Sequence, residues 1–291
     1  MDLLLQLLVQ GLGSGALYAV LGLSFGIIFN TTRVFHFAHG AIIPLGSYTV
    51  YLSVTALELP LAAGMLIAVL VTASAGMACE LLLYRPLRRR GAPPLLWFLA
   101  SFALLVIAQN VLLLIFGGVP VTLTSGATRS MSLGPIRVSE LVLWKVAAGS
   151  VVVLAVLVVL YGTRLGKELR AIVSNPEMAR VAGIDLDRNY LVAYALGSAL
   201  TVPACTIALF DQGASPDLGE TPLLIATVAV FSGGVGAFMG GALGGLLLGL
   251  IGALAVYWTN SSYQMTIALG ALTLFLLLRP SGLLGVRMRR V

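Results

Sequence analysis

Predominantly apolar runs of 18 residues and more recur along this chain, Leu95–Phe116 among them, and they decide what it can fold into. An α-helix of about 20 residues crosses the hydrocarbon core of a bilayer, whereas a barrel strand needs only about 9–11 residues in strict alternation. The runs are long and unalternating, which predicts an all-α bundle. Composition agrees. Hydrophobic residues are 59% of the chain and charged residues 10%, against about 25% charged in a soluble domain, and the mean hydropathy is +1.04. So few charges do not cover a water-facing surface. The expectation is a polytopic integral membrane protein, one transmembrane domain over residues 1–291.

The spans follow in order. The first runs from about Leu3 to Phe29 and is interrupted by Gly11, Gly13 and Gly15, a spacing that lets helices approach closely in a membrane. A polar break, Asn30–Gly40, leads to a second span at Ala41–Ala56 containing Pro44 and Gly46. Glu58 and Pro60 turn the chain into a third span, Leu61–Leu83. The basic loop YRPLRRRGAPP precedes a fourth at Leu95–Phe116. A polar loop, Gly117–Glu140, precedes a fifth at Leu141–Leu160, and a sixth covers Leu191–Phe210. From Leu223 to Trp258 the chain is apolar but broken at Ser232–Gly236, so it reads as two spans or a span and a half-helix. The last is Met265–Leu278. These make about eight or nine spans with broken helices.

Charge sets the orientation. The net charge of +6 comes from basic residues beside spans, a topology signal rather than a nucleic-acid footprint. Arg85, Arg88, Arg89 and Arg90, then Arg164, Lys167, Arg170, Arg180 and Arg188, then Arg279, Arg287, Arg289 and Arg290 are thirteen of the seventeen bases. All fall on one side if 223–258 crosses twice, and the positive-inside bias makes that side cytoplasmic. The N-terminus lacks the basic start of a signal peptide and reads as retained. Cys79 and Cys205 lie in apolar stretches without ligand spacing, indicating neither a disulfide nor zinc.

The longest polar stretch, Tyr161–Tyr190, carries the most specific local signal. Asn175 is placed to N-cap a short helix, Pro176 suits its first position, and Glu177 suits the positive end of its dipole. Gly183 suits the left-handed residue that ends it. About two turns do not stand alone in water. Residues Asn175, Pro176, Glu177, Met178, Ala179, Arg180, Val181, Ala182 and Gly183 therefore read as a docking segment for a soluble partner. Candidate path residues lie at breaks and mid-span polar sites: Asn30, His36, His39, Gly40, Gln109, Asn110, Ser232 and Gly233. Polar groups there either satisfy backbone freed at a break or line a route for substrate. His36 and His39 share a helix face, but two histidines with no nearby Cys, Asp or Glu do not complete a metal site. GTRLGKE at 162–168 lacks the spacing, the magnesium-binding hydroxyl and the preceding strand of a phosphate-binding loop. Any ATP chemistry belongs to another chain.

Three stretches carry a resemblance that spans nearly the whole length. They are GSGALYAVLGLSFGIIFNTTRVFHFAHGAIIPLGSY, LRAIVSNPEMARVAGIDLDRNYLVAYALGSAL and AVFSGGVGAFMGGALGGLLLGLIGAL. The chain resembles the smaller permease subunit of the high-affinity branched-chain amino-acid ABC importers, with His36 standing where the family's Asn-Phe-Ala-His-Gly motif has asparagine. Glu177, Ala179 and Gly183 match the family's coupling segment. The resemblance implies a second permease subunit, two ATPase subunits holding ATP and magnesium, a periplasmic binding protein, and no cofactor on this chain. It also implies a bacterial inner-membrane location and small hydrophobic amino acids as substrate. The alternative is a self-contained secondary transporter or channel for a small solute such as urea or an amide. That reading needs ion-coupling acids, for which only Glu80 and Asp211 stand near span ends. A membrane-embedded enzyme has little beyond the two histidines.

Overall fold

The structure is a computed structural model that describes residues 2–123, 130–133 and 136–284. Part of the polar loop expected at Gly117–Glu140, and Arg287, Arg289 and Arg290 of the basic tail, lie outside the described residues. The helices are α1 (Asp2–Thr32), α2 (His39–Thr55), α3 (Leu61–Ala78), α4 (Arg85–Arg89), α5 (Pro94–Phe116), α6 (Glu140–Gly162) and α7 (Arg164–Ser174). They continue as α8 (Pro176–Val181), α9 (Leu186–Ala199), α10 (Val202–Asp211), α11 (Glu220–Gly233), α12 (Phe238–Ala255) and α13 (Gln264–Leu278). A π-turn, Cys79–Tyr84, joins α3 to α4. A small antiparallel hairpin, β1 (Ser130–Leu133) with β2 (Ile136–Ser139), pairs Ser130 with Ser139 and Leu133 with Ile136. Among the described residues, seven helical stretches are long and apolar enough to cross a membrane. The helices α2 and α11, with 17 and 14 residues, are shorter. The polytopic helical architecture matches the reading from sequence.

The chain packs as two compact units, each discontinuous in sequence. One comprises residues 1–26, 124–153 and 224–291. Its core is a glycine-mediated contact between α1 and α12. Gly11 lies against Gly249 and Ala253, Gly15 against Leu246, Tyr18 against Gly245, and Gly22 against Gly241. Rising numbers on one helix meet falling numbers on the other, so the two run antiparallel. A methyl group on Gly22 would overlap the Gly241 carbonyl oxygen. Removing side chains is what lets two backbones touch where lipid offers no hydrophobic drive. The expected interruption of the first span by Gly11, Gly13 and Gly15 does not occur. The helix runs through them, because its hydrogen bonds are internal and glycine serves here for contact.

The other unit comprises residues 27–123 and 154–223. In it α2 packs on α3, α5 and α10, and α3 on α9. Gly46 faces Cys205, and the Ser47 hydroxyl donates to the Cys205 carbonyl at 3.0 Å. Gly76 faces Ser198 and the Tyr194 carbonyl. Three expectations are corrected here. The break at Asn30–Gly40 shrinks to 33–38: Thr32 bonds back to the Ile28 carbonyl at 2.8 Å, and His39 and Gly40 already begin α2. The span expected to stop at Leu83 continues through the π-turn to Arg89, so most of the basic loop is helix. The span expected at Leu191–Phe210 starts earlier, at Leu186, and is divided into α9 and α10 at Leu200–Thr201.

Candidate functional site

The break between α1 and α2 is closed by side chains from distant parts of the same unit. The first helix ends where Arg33 takes a left-handed conformation, φ 59°, with its N–H bonded to the Phe29 carbonyl at 2.8 Å. The second begins in a tight turn, His39 N–H to His36 O at 3.1 Å and Gly40 N–H to Phe37 O at 2.9 Å. Ser101 of α5 accepts from the freed Ala38 N–H at 3.2 Å and from the Tyr84 hydroxyl at 2.7 Å. His36 Nδ1 lies 2.7 Å from that hydroxyl. The His36 imidazole, the Tyr84 phenol and the Ser101 hydroxyl thus form one buried chain of hydrogen bonds. Nε2 is buried without a partner. The His36 ring meets Tyr84 and Tyr194 edge-on at 5.5 and 5.1 Å, and those two tyrosines stack at 5.2 Å. His39, whose ring centroid is 5.6 Å from that of His36, and Asn30 are fully buried. Among the described residues no group of three His, Cys, Asp or Glu could hold a metal ion.

The other candidate path residues go elsewhere. Gln109 donates to Glu220 at 3.2 Å, while Asn110 turns back to the Val106 carbonyl of its own helix at 2.8 Å. Both border an open cleft of about 290 Å3 that also includes Asp217 and Glu220. Ser232 and Gly233 belong to the unit of α1 and α12. Their carbonyls accept from Leu283 and Leu284 N–H at 2.9 Å each, and Gly233 touches Gly240 backbone to backbone. The break at SGGVG is real, with α11 ending at Gly233 and α12 starting at Phe238, but the chain's own C-terminal segment fills it.

The polar stretch carries the capped helix where the sequence places it. The Asn175 side chain accepts from the N–H groups of Glu177 and Met178, both at 3.0 Å. Pro176 opens α8, Glu177 is in its first turn and Arg180 in its last. Gly183 has φ 85°. Only Ala179 is buried, against Ile172 of α7 and Leu186 of α9. Met178 and Val181 stand 62% and 81% exposed. The amphipathic α7 that carries α8 is absent from the sequence reading. Its N-cap Thr163 accepts from Gly166 N–H at 3.2 Å, Leu169 and Ile172 point inward, and Arg170 bonds the Leu160 carbonyl while covering the Tyr161 ring.

The basic loop's arginines are also more engaged than an orientation signal requires. Arg88 forms a two-pronged bond to Glu80 at 2.8 and 3.1 Å and lies over Tyr190 at 4.3 Å. Arg85 and Arg89 reach Asp187 at 2.9 and 3.3 Å. Tyr84, Tyr194, Ser101 and this ion network were missed from the sequence. Each sits in an apolar span or a basic run with no local pattern to single it out.

Long apolar helices, several of them broken, and a short capped helix define a polytopic helical membrane protein. The family described as "Branched-chain amino acid transport system / permease component" matches residues 7–278, and the chain belongs to that family. It is 27% identical over 298 residues to the high-affinity branched-chain amino acid transport system permease protein LivH of Escherichia coli (strain K12), covering 97% of this chain and 95% of that one. Over 295 residues it is 27% identical to the corresponding permease protein BraD of Pseudomonas aeruginosa, with the same coverage of each chain. The galactose/methyl galactoside import permease protein MglC of Escherichia coli (strain K12) is 30% identical over 152 residues, covering 50% of this chain and 44% of that one. No solved structure matches the chain.

Proposed function

We propose that this chain is the membrane-spanning subunit of an ATP-driven importer for branched-chain or related small hydrophobic amino acids, in a bacterial inner membrane. A periplasmic binding protein delivers substrate, a second permease subunit completes the path, and two ATPase subunits hold ATP and magnesium. This chain catalyses no covalent step and binds no cofactor. Its basic segments face the cytoplasm, so α8 meets the ATPase. Substrate passes at the helix break lined by Asn30, His36, His39 and Gly40.

One observation carries the reading. The α8 helix is capped at both ends, seated by a single alanine, and presents Met178 and Val181 to water. A two-turn helix does not hold such a shape for its own stability, and exposed apolar side chains at a rigid tip suit insertion into a partner's groove. Closure of the ATPase pair would move this tip as a lever between outward-open and inward-open states. A self-contained transporter is disfavoured because Glu80, one of the two acids named for ion coupling, is already paired with Arg88.

The test is crosslinking. Both native cysteines are free and have substantially covered side chains. With them changed to serine, Met178→Cys in the assembled transporter is expected to crosslink to cysteines placed around a groove of the ATPase, in a nucleotide-dependent manner. A Met178→Cys that labels freely with a soluble maleimide in the assembled particle, and crosslinks to nothing, contradicts the docking role.

A further inference from the structure

The helix break and the short capped helix belong to one unit, and a series of side-chain contacts, joined along the intervening helices, runs between them. From α8, Ala179 packs on Ile172 and Leu186. Glu168 of α7 accepts from Asn189 of α9 at 2.8 Å. Two residues before Asn189, Asp187 gathers Arg85, Arg88 and Arg89 at 2.9, 3.6 and 3.3 Å. Arg88 then turns inward to Glu80, whose side chain is 1% exposed. Glu80 and Tyr84 are both buried in the same π-turn, and Tyr84 holds His36 and Ser101 at the break.

Two features mark this series as more than packing. A π-turn inserted into an α-helix leaves the regular ladder and is often found at functional positions. A buried ion pair contributes little net stability compared with apolar residues of the same volume, and its best-attested use is to fix one arrangement. Here it fixes the turn that presents Tyr84. We propose that Glu80 and Arg88 are positioning residues for transport: they lock the π-turn so that a displacement of α7 and α8 reaches His36 through Tyr84. The proposal rests on the reading of α8 as the ATPase contact. Neither residue touches substrate; both act through Tyr84.

The experiment uses the complete transporter in proteoliposomes and measures uptake per ATP hydrolysed, with assembly checked by gel filtration. Glu80→Gln, Arg88→Gln, the double variant and Tyr84→Phe are compared with wild type and with Gly183→Asp. Each single variant is expected to hydrolyse ATP on addition of loaded binding protein yet to lose about tenfold in uptake per ATP, with the double no worse than either single. A single variant that strands a buried charge can fail to assemble; the double strands none and then decides the matter together with Tyr84→Phe. Wild-type uptake per ATP in the assembled double variant and in Tyr84→Phe overturns the proposal. If Gly183→Asp still uncouples uptake from hydrolysis, only the linkage has failed; if it does not, the docking reading has failed with it.

Discussion

Arg88 and Arg90 are two residues apart in one basic run, yet they face different physics. Arg88 is the partner of a carboxylate sealed from water, so removing it leaves Glu80 buried and unpaired. Arg90 is exposed. Arg88→Gln is expected to destabilise by about 3–5 kcal/mol, and Arg90→Gln to stay within about 0.5 kcal/mol. Thermal unfolding in detergent measures both; equal small effects would show that Glu80 does not depend on Arg88. Asn175 is a second case. Its side chain serves two otherwise orphaned N–H groups, and Asn175→Ala is expected to cost α8 about 1 kcal/mol. Limited proteolysis of the 175–183 segment reads that loss as faster cleavage. Asn175 was legible because capping is a local matter of residue type and position. The Glu80–Arg88 pair was not, since the two are eight residues apart, beyond the three- or four-residue spacing by which a helix brings charges together, and meet across the end of a π-turn.

At the scale of elements, what the sequence showed well were segments whose cause is local: apolar runs, the SGGVG break, the Pro176 start and the Gly183 stop. What it missed were elements whose cause is tertiary. Residues Arg164–Ser174 read only as part of a polar stretch because their charges dominate, though Leu169 and Ile172 were already spaced for one buried face. The break before α2 read too wide because Asn30, Thr31 and Thr32 are polar; inside this bundle Thr32 satisfies its hydroxyl on its own helix and Ser101 supplies the acceptor the opened backbone needs. Glycine spacing in the first span announced close packing but not whether the helix would continue. The contact with α12 makes a sharp prediction. Gly22→Val places side-chain atoms on the Gly241 carbonyl and is expected to destabilise by about 1–3 kcal/mol or more. Gly270→Ala, with nothing within 4 Å of the new methyl, is expected to be neutral or slightly stabilising. Comparable melting of the two variants would contradict the close approach of α1 and α12.

For the whole molecule, membership of the permease family and the arrangement of the described residues support one account. In the function proposed above, the chain does no chemistry, and work enters from outside at a small rigid tip. In the same proposal, substrate identity is set largely by the binding protein that delivers the amino acid. His36 is expected to matter through its hydrogen bond to Tyr84. His36→Asn, which keeps a hydrogen-bonding side chain there, should keep more uptake than His36→Leu, which leaves Tyr84 without that partner. Equal uptake by the two would remove that hydrogen bond from the account. The most direct test of the central claim is uptake of radiolabelled leucine into proteoliposomes carrying the complete assembly, wild type against Gly183→Asp. Uptake that requires ATP and binding protein, and falls about tenfold or more in the variant, is the predicted result. Uptake by this chain alone on an ion gradient, or an undiminished ATP-driven rate in Gly183→Asp, would contradict it.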